Sequence, residues 1–255
     1  VLLHLPVLNL VMSVEASLSH AGFMSDARSH TLSPSCSGSS VIGIKFKGGV
    51  IIAADALVSY GSLARYTNFD RVLKVNECTA LACSGDIADF QYLAKHISRQ
   101  VLTESLLGDG FTTSPQALHS WITRVMYHRR SQLNPLWNSY IVGGVQKDGT
   151  PYLGCTNMLG VAFTENCVAT GFGSYLALPL LRKVIETKAD SNIANLTYDD
   201  ALAALKDTMT VLFYRDGRAF NMYKIAVVTK DGVSVSDNQK AEVNWQIAET
   251  VAGYE

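Results

Sequence analysis

The residues best placed to do chemistry gather in one short stretch. From Cys36 to Asp55 the chain reads CSGSSVIGIKFKGGVIIAAD, with a hydroxyl residue, Ser39, directly behind Gly38 and an aspartate closing the second of two apolar runs. An enzyme that attacks an amide with the side-chain oxygen of its own first residue would open in this way. The free α-amino group of that residue helps to move the proton, so the nucleophile must reach the front by cleavage behind a small residue. A long stretch precedes Ser39 here. Two readings follow from the residues alone: an active N-terminal-serine peptidase self-processed at Gly38-Ser39, or a copy of such an enzyme that does not react.

The other reactive residue types point nowhere else. His4, His20, His30, His96, His119 and His128 show no metal-ligand spacing, with His96 and His119 expected on helices. Cys36, Cys78, Cys83, Cys155 and Cys167 are odd in number and include no C-x-x-C pair. They read as reduced thiols of an intracellular protein, Cys78 and Cys83 bracketing a strand, so neither a metal nor another cofactor is expected. A formal net charge of -1 gives no field that would attract nucleic acid or an anionic membrane. Arg129-Arg130 reads as a solvated helix end.

The elements that must position Ser39 are legible from Ser40 onward. SVIGIKF and VIIAAD are β-branched runs separated by Lys47-Gly48-Gly49, a tight hairpin, and RVLKV and TALACSG continue in the same style. Ile87, Phe90, Leu93, Ile97 and Val101 then recur at helical spacing, and Ser114-Pro115 opens a second helix that runs to Gln132. Strands SYIVGGVQ and PYLGCTNML follow, joined through Asp148-Gly149, and then CVATG. One helix is expected across SYLALPLLRKVIE despite Pro179, and another behind the cap Thr197, with Asp199 and Asp200 at its positive end. A hairpin around Asp231-Gly232 ends the pattern. Strands, two helices, strands, two helices and strands pack most economically as two antiparallel sheets face to face with a helical layer outside each, an α+β four-layer αββα sandwich.

Residues 13–38 are rich in Ser, Ala, Gly and His and are expected to be irregular or detachable. The apolar run Leu2 to Met12 is broken by His4, Pro6 and Asn9 and is shorter than the roughly 20 residues that span a bilayer. A pro-segment or flexible arm is the reading for residues 1–30. A signal-peptide core is the alternative; it would make the chain a secreted domain carrying glycan on Asn195.

SSVIGIKFKGGVIIAAD, YGSLARYTNFDRVLKV, ACSGDIADFQYL and YRDGRAFNMY resemble the beta subunits of the 20S proteasome, over nearly the whole chain from Thr31. Within that family LLGDG, SPQALHSW, NPLWNSYIVGG and the run Asn157-Met158-Leu159-Gly160 are similar to the non-catalytic class at the seventh position of the beta ring. The resemblance implies the N-terminal nucleophile hydrolase fold. It also implies which positions once carried chemistry. Ser39 stands where active members have threonine, and Asp55 matches their aspartate. Arg71 replaces the lysine that pairs with it, Phe172 replaces a serine between two glycines, and Asp216 is kept while Ala219 replaces a following serine. An arginine keeps its charge and relays protons poorly. Each lost acid–base group costs about 10²–10⁴ in rate, and such losses act together rather than multiplying. The expectation is an inactive subunit of a threonine-endopeptidase complex, with Asp55 and Arg71 as a structural ion pair and Asp216 satisfying backbone donors at a helix end.

The resemblance further implies a processing cut between His30 and Thr31 by an active neighbour, a short retained extension over 31–38, a subunit domain over 39–240 and an interface tail over 241–255. In that tail Trp245, Ile247, Val251 and Tyr254 would reach subunits of the opposite ring. The implied partners are other alpha and beta subunits in a 28-subunit assembly of four seven-membered rings. The implied setting is cytoplasm and nucleus, in ATP- and ubiquitin-dependent protein degradation.

Overall fold

The computed structural model describes residues 33–249. Two antiparallel sheets carry the fold. The first has eight strands: β1 (Cys36–Gly38), β4 (Val58–Tyr60), β5 (Leu63–Tyr66), β6 (Val72–Asn76), β7 (Thr79–Asp86), β8 (Asn138–Val145), β9 (Pro151–Thr156) and β10 (Ala162–Thr164). Its order is β10-β9-β8-β7-β1-β4-β5, and β6 shares with β1 the edge of β7 that β8 does not use. The second has six: β2 (Val41–Phe46), β3 (Gly49–Asp55), β11 (Cys167–Ala169), β12 (Met222–Thr229), β13 (Gly232–Val235) and β14 (Gln239–Lys240), in the order β11-β2-β3-β12-β13, with β14 also on β12.

Period-two alternation decides which side chain meets which layer. On β2 and β3, Val41, Val50, Ile52 and Ala54 face the other sheet and share a core cluster with its Ala82, Ile141 and Leu153. Their alternates Ile42, Ile44, Ile51 and Ala53 face outward onto helices. Both faces are covered, which is why these strands read as unbroken apolar runs. The hairpin between them turns on Gly48, whose φ of 86° lies in the region a side chain disfavours.

Helices α1 (Ile87–Leu107) and α2 (Pro115–Ser131) cover the first sheet, packing Phe90, Leu93 and Ile122 on Leu81 and Tyr140. The short α3 (Gly173–Leu176), then α4 (Leu178–Ala189) and α5 (Tyr198–Arg215), cover the second through Leu181, Leu205 and Met209. The αββα arrangement expected from the pattern is present. The caps are the expected ones: Ser114 accepts from Ala117 N at 3.2 Å, and Thr197 from Asp200 N at 3.2 Å. A four-residue α6 (Gln246–Glu249) ends the described region.

Three expectations need correction. Residues 36–38 are not irregular: they form β1, a strand with partners on both sides. Cys83 lies within β7 rather than beyond its end. The run from Ser174 to Glu186 is two helices meeting at Ala177, and Pro179 is tolerated because it falls in the first turn of the second. The short strands β4, β5, β10 and β14 carry no periodic signal of their own.

Candidate functional site

Ser39 sits in the link that takes the chain from β1 in the first sheet to β2 in the second. Its hydroxyl donates to Asp55 Oδ2 at 2.8 Å. The same oxygen accepts from the backbone N–H of Phe220 at 3.0 Å, and Oδ1 pairs with the Arg71 guanidinium. Asp55 is the last residue of β3 and Arg71 directly precedes β6; they are 2% and 1% exposed. The structure thus brings together Ser39, Asp55 and Arg71. Burial pushes the Asp55 carboxyl up, and the guanidinium, the serine hydroxyl and the Phe220 amide pull it back.

Arg71 does far more than neutralise Asp55. Its Nε donates to the Asp55 carbonyl at 3.0 Å, and Nη1 donates to the carbonyls of Ser39 at 2.9 Å and Cys83 at 3.1 Å. Nη2 reaches the Ser40 carbonyl at 3.4 Å as well as the carboxylate. All the N–H donors of a guanidinium are therefore matched to acceptors on β3, β7 and the Ser39-Ser40 link. A lysine has three donors and could not satisfy this set.

The remaining positions lie around a cleft of about 300 Å³ whose lining includes Ser39, Ser84, Asn138, Phe172, Asp216 and Arg218. Asp216 caps the end of α5, its Oδ1 accepting from Arg218 N at 3.0 Å and its carbonyl from Ala219 N at 3.0 Å. This is the helix-end role expected of it. Phe172 differs from expectation. Rather than filling apolar space it is 63% exposed on the cleft lip, between Gly171, with a φ of 58°, and Gly173. A Cβ on Gly173 would stand 3.1 Å from that of Ser40, so the second glycine serves close packing.

Ser40 and Thr170 belong to the site, yet no expectation named them. Ser40 Oγ accepts from Gly173 N at 2.8 Å, and Thr170 Oγ1 from Val41 N at 3.0 Å. Together they tie the Gly171-Phe172-Gly173 loop to the start of β2. The signal available was a pair of buried hydroxyl residues flanking apolar runs, which reads as ordinary strand-end chemistry.

Elsewhere, all the cysteines are free thiols, and burial raises Cys83 and pushes Cys155 up to about 11. No cluster of three or more potential metal ligands occurs among the described residues. No helix there is long and apolar enough to cross a membrane. His30, Thr31, Val251 and Tyr254 lie outside the described residues. Trp245 is described: it packs edge-on against Tyr214 at 5.0 Å and Phe213 at 6.2 Å while remaining half exposed.

A family model for "Proteasome subunit" matches residues 36–228. The chain belongs to the proteasome subunit family. Among relatives, it is 51% identical to a proteasome subunit beta type-4 of Xenopus laevis over 226 residues, covering 89% of this chain and 91% of that one. It is 40% identical to the Drosophila melanogaster beta type-4 subunit over 88% of this chain and 82% of the other. A Saccharomyces cerevisiae subunit named beta type-7 is 38% identical over 88% and 86%. The proteasome subunit fold thus accounts for the sandwich, and the beta type-4 likeness spans the site as well as the layers.

Proposed function

We propose that this chain is a non-catalytic, structural beta subunit of the 20S proteasome core, at the ring position of its beta type-4 relatives. One observation carries the inactive part of the reading: Arg71 occupies the proton-relay position with every donor engaged. Asp55 is paired with it, so a proton taken from Ser39 has nowhere further to go. Phe172 and Ala219 bring no hydroxyl to replace what is missing.

On this reading the subunit completes the chamber wall among alpha and beta partners, 28 chains in four rings, in cytoplasm and nucleus. Maturation at His30-Thr31 falls to an active neighbour, and Trp245, Ile247, Val251 and Tyr254 serve ring-to-ring contact. The deciding experiment is intact-mass and amino-terminal sequencing of the subunit from purified particles, before and after an electrophile aimed at N-terminal nucleophiles. A start upstream of Ser39 and no adduct is expected. A start at Ser39 with an adduct on its oxygen would establish the serine peptidase instead. Native mass of the particle and imaging of a tagged chain test the stoichiometry and the location.

A further inference from the structure

The glycine before Ser39 looks like a cleavage signal, but its surroundings give it another reason to be there. A Cβ built on Gly38 would stand 2.4 Å from Arg71 Cδ and 3.0 Å from both Nε and Nη1. A flexible, exposed arginine could swing aside. This one cannot, because it is 1% exposed and its guanidinium is held by Asp55, Ser39, Ser40 and Cys83.

The position matters for the fold. β1 is three residues long, yet it is an interior strand: Cys36, Ser37 and Gly38 pair with Tyr60, Ser59 and Val58 on one side, and Ser37 and Gly38 with Asp86 and Gly85 on the other. The chain crosses from one sheet to the other immediately after it. Arg71 grips that crossing from both sides, with Cys83 in the first sheet and Asp55 in the second.

We propose that Gly38 and Arg71 form an interdependent lock: the arginine requires a side-chain-free residue at 38, and together they keep β1 a permanent strand of the sheet. Glycine at 38 is thus a packing requirement, independent of any cut at Gly38-Ser39. Just upstream, Ser35 N donates to Asp86 Oδ1 at 3.3 Å, a separate tie to the end of β7.

The test uses assembled particles carrying the tagged chain. In the Arg71→Lys variant the brace loses donors, and hydrogen exchange in a peptide spanning 33–41 should quicken by about tenfold or more. A peptide within β12 should be unchanged. Gly38→Ala should lower recovery in particles several-fold, and combining it with Arg71→Lys should cost less than the two effects added, because the freed stem can yield. Unchanged exchange in Arg71→Lys overturns the lock even if Gly38→Ala fails to assemble. Strict additivity of the two substitutions overturns the interdependence. These readouts are separate from the search for a Ser39 adduct, so either idea can fail alone.

Discussion

A buried arginine and a buried lysine are different instruments. Lysine can be tuned toward neutrality and can pass a proton, whereas arginine stays charged and organises acceptors around a plane. The Asp55–Arg71 pair is therefore a fixture whose partners depend on each other. Asp55→Asn should destabilise the subunit by about 3–5 kcal/mol, because it strands a buried guanidinium; recovery and thermal midpoint of the tagged particle check this. The same argument makes restored hydroxyls insufficient. The triple variant Ser39→Thr, Phe172→Ser, Ala219→Ser should still give no electrophile adduct while Arg71 remains, and intact mass would reveal one. His119 contributes to the pH dependence, as does His96, whose pKa is also lowered by burial and by the nearby Arg99 and Lys95. The Nδ1 of His119 is 2.7 Å from the Tyr152 hydroxyl beneath α2, and burial lowers its pKa below the ordinary value of 6.5. A folded-state pKa below the unfolded one favours the neutral ring. That contribution is complete above about pH 6.5 and fades as the pH falls further. His119→Gln should flatten the stability profile between about pH 7 and pH 5, measurable as thermal midpoints of the particle across that range.

The helices depend on the sheets through close approaches that tolerate no added atoms. At Gly154 on β9 a Cβ would lie 2.6 Å from His119 Nδ1, and at Gly144 on β8 it would lie 2.5 Å from Pro115 Cβ. α2 therefore rests on two glycines, and its entry is set by the Ser114 cap. Ser114→Ala should cost about 1 kcal/mol. Gly154→Ala, which drives a methyl into the imidazole, should cost about 1–3 kcal/mol, and thermal unfolding would rank the two. Elements of this kind were legible because their causes are local: a cap residue, a proline in a first turn, an apolar face every third or fourth position. β1, β4, β5 and β10 were not, because three or four residues without alternation become strands only when long-range partners present their edges. β1 is the clearest case. Its residues Cys36, Ser37 and Gly38 have little β-propensity, and pairing with β4 and β7 overrides it. At the site, Asp55 and Arg71 were legible as a pair through resemblance. The other acceptors of Arg71 are backbone carbonyls, which no residue type announces, and the exposure of Phe172 depends on a loop whose path is set by Ser40.

For the molecule as a whole, the question is what the segment that follows β14 does. At the carboxyl end the last described residues are held back on the domain. The Tyr214 hydroxyl accepts from Asn244 N and donates to Asn244 O at 3.2 Å, and Trp245 packs edge-on against Tyr214 and Phe213. A truncation that begins at residue 243 would therefore remove any reach toward other subunits and also uncover these aromatic rings. Cutting after Glu249 separates the two effects, because Trp245 and its partners stay. If the proposed ring-to-ring role of the tail is right, both truncated subunits enter half-particles, and both slow the joining of halves. The shorter deletion does so without lowering the subunit's own thermal midpoint. Native gels following the conversion of half-particles to full particles over time would measure this, with salt challenge as a second readout. Joining at the normal rate after removal of 250–255, together with a defect from removal of 243–255, would move the role of the tail from partner contact to the aromatic bracket around Asn244. Normal joining in both would end the proposal that the carboxyl end clasps the rings.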